Sequence, residues 1–291
     1  MGSASPISYF SKMKQLLTIV FIGLVFFGCN SNDAEIEELK REVEELKNQK
    51  PQDSKEEEND EIQNDTYSNT SSTPTAEEYC NKGVYYAEKG EYQLAIDNFT
   101  KGIKLDLDGA NLAIAYYNIG IAYSKLGNYE DAIADYTRAI RIDPDYAKAY
   151  ISRGSAYSKL GNYEEAIADY TRAIRIDHYD DDAYNNRGIA YRKLGNYEDA
   201  IADYTRAIRL DPAADAYYNR GYAYADLGNY EDAIADYTRA IRIDPNDPSA
   251  YRSRGIAKQN AGLSYCSDYK RACDLGKKDC CNWYIEDNCK D

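Results

Sequence analysis

The stretch Gly127–Asp143, GNYEDAIADYTRAIRID, decides how this chain is read, because it returns almost unchanged at residues 161–177, 195–211 and 228–244. The leucine before each copy falls at Leu126, Leu160, Leu194 and Leu227, a period of 34, 34 and then 33 residues. A fixed period in this range marks a stack of like supersecondary units, each too small to bury its apolar face alone. Such stacks offer long surfaces to other molecules rather than one deep pocket for chemistry. The repeat therefore speaks about mode of action and leaves the ligand unnamed.

The repeats fill the second two-thirds of the 291 residues, so the first 75 need a separate account. With 35 basic against 50 acidic residues, the surface repels phosphate backbones, and nucleic acid is not expected as a partner. Tyrosine occurs 31 times against 5 Phe and 1 Trp. Its ring packs while its hydroxyl reaches water or a polar partner, which suits thin two-layer repeats.

Residues 16–27, LLTIVFIGLVFF, follow Lys12 and Lys14 and precede Gly28-Cys29. The run falls short of the about 17–25 apolar residues that span a bilayer. A basic start, a short apolar run and a small residue give residues 1–28 the layout of a secretory signal. With Cys29 next, residues 13–29 resemble a bacterial lipoprotein signal. Phe26 departs from the leucine commonest there, and Met13 would be the more usual start. The resemblance implies that Cys29 carries lipid, palmitate included, and becomes the new N-terminus. The chain would then sit in a bacterial cell envelope, at the outer membrane or cell surface in preference to the inner membrane. A signal cut elsewhere, with Cys29 unmodified, is the alternative.

Within residues 29–50, Ile36, Leu39, Val43 and Leu46 form a heptad seam two repeats long. Residues 34–49 are thus either a weak homo-oligomerising coiled coil or a lone solvated helix. Residues 51–75 lack an apolar period and are rich in charge, Ser, Thr and Asn, as in a disordered acidic linker. A flexible coil of this length spans about 25–30 Å, enough to hold the repeats off a membrane.

Units beginning at Ala76, Ala113, Ala147, Asp181 and Ala214 align an aromatic at the fourth position: Tyr79, Tyr116, Tyr150, Tyr184 and Tyr217. The eighth position is Gly83, Gly120, Gly154, Gly188 and Gly221, where a missing side chain would let two helices approach closely. Tyr86, Tyr123, Tyr157, Tyr191 and Tyr224 follow one helical turn on. Gly127, Gly161, Gly195 and Gly228 then end the first helix. The second helix carries Ala132, Ala166, Ala200 and Ala233 with Tyr136, Tyr170, Tyr204 and Tyr237, and stops at Pro144, Pro212 and Pro245. This pattern resembles the tetratricopeptide repeat family over residues 76 to about 260. The resemblance implies an all-α fold, a right-handed superhelical solenoid of antiparallel helix pairs, preceded by signal segment, short coiled coil and disordered linker. Five full repeats and the start of a sixth would occupy residues 76–262. Two junctions depart from the pattern: Leu107 and His178 stand where proline belongs, and unit one has three extra residues. Arg153, Arg187, Arg220 and Arg254 are expected to reach Asp135, Asp169, Asp203 and Asp236 in the preceding unit.

Residues 263–291 hold five of the seven cysteines. The segment ACDLGKKDCCNWY resembles the cysteine-paired helical hairpins of Sel1-like repeat proteins. That resemblance implies a disulfide Cys273–Cys281. Cys266 and Cys289 lie about equally far from the Gly276-Lys277 turn further out, where antiparallel helices would place them side by side as a second pair, and such bridges suit an exported protein. Cys80 and Cys280 have no assigned partner. A stapled cap over the last repeat is favoured over a redox or metal role.

No phosphate-cradling glycine loop or GxGxxG occurs. His178 is the only imidazole to serve as base for a nucleophile, and it lies in a repeat junction. Asp177, Asp180, Asp181 and Asp182 lack the alternate-residue spacing of a calcium loop and read as a solvated turn. No catalytic residue, metal site or cofactor is expected, and the chain does not read as an enzyme.

In tetratricopeptide arrays the first helices line the concave face, so the resemblance points to their ligand-facing positions. The sixth reads Asn81, Asn118, Ser152, Asn186, Asn219 and Ser253. Asn offers both donor and acceptor, so Asn81, Asn118, Asn186 and Asn219 could clamp a peptide backbone without reading its sequence; equally, Asn simply tolerates an exposed helix position. Tyr117 and Tyr218 at the fifth would set side-chain preference. Lys125, Lys159 and Lys193 at the thirteenth would receive acidic groups or balance the acidic framework. Two function classes stand: a membrane-anchored scaffold binding peptides or envelope proteins in its groove, and a structural, oligomerising assembly protein whose groove is idle. A groove poor in charge and rich in Asn and Tyr favours the first.

Overall fold

The computed structural model describes residues 74–286, with side chains through Asn282. The signal segment, Cys29, the heptad segment 34–49, all but the end of the 51–75 linker, and Cys289 lie outside the described residues.

Among the described residues there are helices and no strands. Unit one pairs α1 (Ala76–Glu88) with α2 (Tyr92–Lys104), and unit two pairs α3 (Gly109–Leu126) with α4 (Tyr129–Ile142). Unit three is α5 (Ala147–Leu160) and α6 (Tyr163–Ile176), and unit four is α7 (Asp181–Lys193) and α8 (Tyr197–Leu210). Unit five is α9 (Ala214–Asp226) and α10 (Tyr230–Ile243). Then follow α11 (Pro248–Asn260), α12 (Cys266–Asp274) and α13 (Lys278–Glu286). No described helix is long and apolar enough to cross a membrane.

Each unit closes around one ring. In the second helix of unit two, Ala132, Tyr136, Ala139 and Ile140 share one face and are buried. Glu130, Asp131, Arg138 and Arg141 hold the other face in water, the amphipathic split that makes a surface helix pack. Tyr136 lies flat against Gly120 of the first helix: a Cβ there would come within 2.6 Å of the ring. The same ring-on-glycine contact recurs as Phe99 on Gly83, Tyr170 on Gly154, Tyr204 on Gly188 and Tyr237 on Gly221. Between helices Gly127 takes φ 82°, a left-handed conformation that glycine adopts without strain, and ends α3.

The contact pattern sets the curvature. Each helix packs on its sequence neighbours, and successive first helices also touch one another. Successive second helices do not approach to the same extent. Helices that crowd lie on the inner side of a curved stack, so α1, α3, α5, α7, α9 and α11 line the concave face.

Two departures change the sequence reading. The three extra residues of unit one do not lengthen its second helix. The chain turns at Asp106, a non-glycine residue at φ 65°, and Asp108 caps an early start of α3 by accepting from the Asn111 amide at 3.0 Å. More consequentially, the sixth unit does not stop at residue 262. Tyr269 of α12 lies on Gly255 of α11, where a Cβ would come within 2.6 Å of the ring, and Asp268 and Ala272 are buried beside it. Thus SDYKRAC at 267–273 matches the repeated ADYTRAI position for position, with two residues missing before it, and α11–α12 is a unit with a shortened second helix. At the third junction α6 still ends at Ile176 without a proline, so a proline is not required to end a second helix.

Candidate functional site

The inner face is built on a row of arginine clamps at the seventh position of the first helices of units three to six. Arg153 donates from Nε and Nη2 to the two oxygens of Asp169 at 2.8 and 2.7 Å, and from Nη1 to Thr137 Oγ1 at 2.9 Å. Arg187 repeats this on Asp203 and Thr171, Arg220 on Asp236 and Thr205, and Arg254 on Asp268 and Thr238. The carboxylate belongs to the same unit and the threonine to the preceding one. This corrects the pairing expected from sequence, in which each arginine reached back to the preceding unit's aspartate. The Asp side chains are nearly buried and the Arg side chains mostly so. Bidentate, charge-assisted geometry of this kind both binds tightly and fixes orientation. The clamps therefore lock units three to six each to the one before and leave the residues just before them to face the groove.

Those residues do not behave alike. Asn81 is exposed and Asn118 and Asn186 are half-buried; among the described residues none of their side-chain amides has a hydrogen-bond partner. Asn219 differs: its Nδ2 donates to Asn185 Oδ1 at 3.1 Å. The tyrosines are engaged too. Tyr117 packs against Tyr136 and Tyr146, with ring centroids 5.8 and 4.9 Å away, and its hydroxyl accepts from Ser152 at 3.5 Å. Tyr218 packs on Tyr237 at 5.6 Å and shares a hydrogen bond with Ser253 at 3.1 Å. A rule connects these contacts: the fifth position of one unit meets the sixth of the next. Where the fifth is Cys80 or Ile151, which offer the amide no good partner, the facing Asn118 or Asn186 keeps its amide free.

Lys125, Lys159 and Lys193 are exposed along one edge of the groove, and among the described residues none makes an ion pair. The row changes sign at Asp226, the same position in unit five. Arg192 reaches Asp226 across the unit boundary at 3.2 Å and lies over the Tyr222 ring, 4.4 Å from its centroid.

Beyond the groove, Cys273 and Cys281 are joined by a disulfide, Cα atoms 4.8 Å apart. Cys266 is also disulfide-bonded. Cys80 and Cys280 are free; burial, then the nearby carboxylates of Glu77 and Asp279 respectively, pushes each thiol above its ordinary range. A thiol so placed is a poor nucleophile. His178 is exposed and stacks on Tyr179 at 4.1 Å. Among the described residues no group of three or more His, Cys, Asp or Glu could hold a metal ion.

A stack of helix pairs with an inward-facing row of free amides and lysines defines an α-solenoid repeat protein. Comparison specifies the repeat. Tetratricopeptide-repeat models match residues 76–108, 113–146, 135–168, 154–195 and 185–248, so the array consists of tetratricopeptide repeats. The crystal structure of MamA is similar, with 29% identity over 55% of this chain and 96% of that one, TM-score 0.52. YrrB, described as a tetratricopeptide-repeat protein with an unusual peptide-binding site, is 27% identical over 62% of this chain and 91% of its own, TM-score 0.53. A tetratricopeptide-repeat protein from Parabacteroides merdae shares the fold, with TM-score 0.60 at 22% identity, over 70% of this chain and 78% of its own. Among curated proteins none matches.

Proposed function

We propose that this chain is a lipid-anchored scaffold of a bacterial cell envelope whose concave groove holds an extended segment of a peptide or protein. The observation that carries the binding role is the set of unpartnered amides on the inner face, Asn81, Asn118 and Asn186. Each can donate to and accept from a peptide backbone, and the repeat sets them one and then two units apart along the face. Asn219 contributes less, because Asn185 occupies its amide. Tyr117 and Tyr218 act through the packing of the groove wall rather than as free readers of ligand side chains. Lys125, Lys159 and Lys193 favour acidic segments in a salt-dependent way. The peptide-binding description of YrrB supports this reading.

Anchoring rests on the sequence around Gly28-Cys29. A multiply acylated cysteine holds a protein stably at a membrane where one chain would not. Cys29→Ser should leave unprocessed precursor or release the protein from the membrane fraction; normal processing and retention would refute the anchor. For the groove, full-length protein is used to capture envelope proteins beside a form with Asn81, Asn118 and Asn186 changed to Ala. Partners lost by a variant that melts like wild type support the groove, and unchanged capture refutes it.

A further inference from the structure

The second-helix tyrosines of the repeats share one position but not one environment. Tyr136 shares a hydrogen bond with Ser124 at 3.2 Å, and Tyr170 with Ser155 at 3.1 Å. In unit five the residue equivalent to Ser124 is Ala225 and the one equivalent to Ser155 is Tyr222. The Tyr237 hydroxyl is thereby left without a protein partner, although the residue is only 2% exposed. It lines a cavity of about 210 Å³ between α9 and α11, with α10 behind. Tyr222, Asp226, Tyr230, Arg252 and Ile256 form much of the remaining wall.

An unpartnered hydroxyl facing a cavity asks for a ligand with a hydrogen-bonding group. The size is that of one ring, since a cavity of about 150 Å³ takes up a benzene. The charges are already matched: Asp226 by Arg192 at 3.2 Å, and Arg252 by Asp279 at 3.1 Å. A charged ligand would have to break one of these pairs, while a neutral one leaves both intact. Burial, with Tyr218, Tyr222 and Asp226 nearby, keeps the Tyr237 phenol protonated well above its ordinary range, so it can both donate and accept. We infer that this cavity takes one neutral aromatic ring with a hydrogen-bonding tip, a tyrosine-type side chain on the bound peptide. The ring preference follows from the cavity; its place on a peptide rests on the function proposed above.

The test separates the two. Full-length protein with 13C-labelled Ala and Ile methyls is titrated with p-cresol, toluene and n-butylammonium, following Ala225, Ala257 and Ile256. p-Cresol should shift these methyls and bind about threefold to tenfold tighter than toluene, the worth of one net hydrogen bond; n-butylammonium should bind weakest. Ala225→Ser supplies Tyr237 with the partner that Ser124 gives Tyr136, and should erase the p-cresol advantage while toluene still binds. No shift at these methyls, equal binding of p-cresol and toluene by wild type, or preference for the ammonium would overturn the inference. If p-cresol behaves as stated but no peptide binds, the groove reading fails and the cavity stands. If peptides bind equally with Tyr and with Ala at every position, the cavity is no part of peptide recognition and that element of the inference falls.

Discussion

Arg153 grips both oxygens of Asp169 in its own unit while its third nitrogen holds Thr137 of the unit before. One side chain thus ties together three helices. Removing one partner of a buried pair leaves a charge without compensation and costs about 3–5 kcal/mol. Arg153→Leu should accordingly lower the urea midpoint strongly and raise hydrogen exchange at the boundary between units two and three. A midpoint close to wild type would mean that the clamp is surface decoration.

Unit two supplies the contrast. Its seventh position is Ile119, so Asp135 has no clamp and turns to Arg138 on its own helix. Burial raises the Asp135 carboxyl above its ordinary value, against the opposing pull of Arg138. The native state then holds this proton more tightly than the unfolded chain does. Its contribution favours folding below about pH 3.9 and is lost as pH rises through the raised value. Asp135→Asn should therefore be neutral or stabilising near pH 7 and should flatten that part of the stability profile, whereas Asp169→Asn should destabilise. Unit one already carries this solution: Asn98 stands at the position and donates to the Leu94 carbonyl at 2.8 Å. Urea midpoints between pH 3 and 7 decide it, and equal losses for the two variants would contradict the account.

The ring-on-glycine contact predicts an unusual cost for the smallest substitution. Gly120→Ala places a methyl within 2.6 Å of Tyr136. Helix propensity alone would favour the change, but overpacking costs about 1–3 kcal/mol. Thermal melts should show net destabilisation, and a gain in stability would show that the helices separate freely.

For the terminal hairpin, Cys281→Ser should free α13 from α12. Tyr269 on Gly255 and Arg254 on Asp268 hold α12 independently of the disulfide. Hydrogen exchange should quicken across residues 278–286 and stay slow across 266–274. Equal loss of protection in both would mean that the bridge, not the repeat core, orders the sixth unit.

Much of this architecture is legible in the 34-residue period, because identical units must pack identically and the eighth-position glycine marks the close approach. The direction of the clamp was not, since a period fixes register but does not say which of two flanking aspartates an arginine meets. The signal lay at the ends of the array. Ile119 leaves Asp135 without an arginine, and Asp268 gives Arg254 an aspartate, once CSDYKRAC is aligned with IADYTRAI and the two missing residues are placed before it. The division of the asparagines was also written in pairs 34 or 35 apart: Tyr117 with Ser152, Asn185 with Asn219, Tyr218 with Ser253. Reading one position at a time hides that coupling, which passes from one unit to the next. The Tyr237 cavity depends on two substitutions, Ala225 and Tyr222, that look like ordinary repeat drift until the hydroxyl they abandon is located.

On the proposed function, the free inner-face amides hold a peptide backbone. The direct measurement is calorimetric titration of peptides, selected on the full-length protein from a random library, into wild type and into the variant with Asn81, Asn118 and Asn186 changed to Ala. Each net hydrogen bond contributes about 0.5–1.5 kcal/mol. Affinity should therefore fall about tenfold or more for peptides of unrelated sequence alike, with the melting temperature unchanged. Unaltered affinity in a normally folded variant would mean that the amides hold no peptide and are only surface.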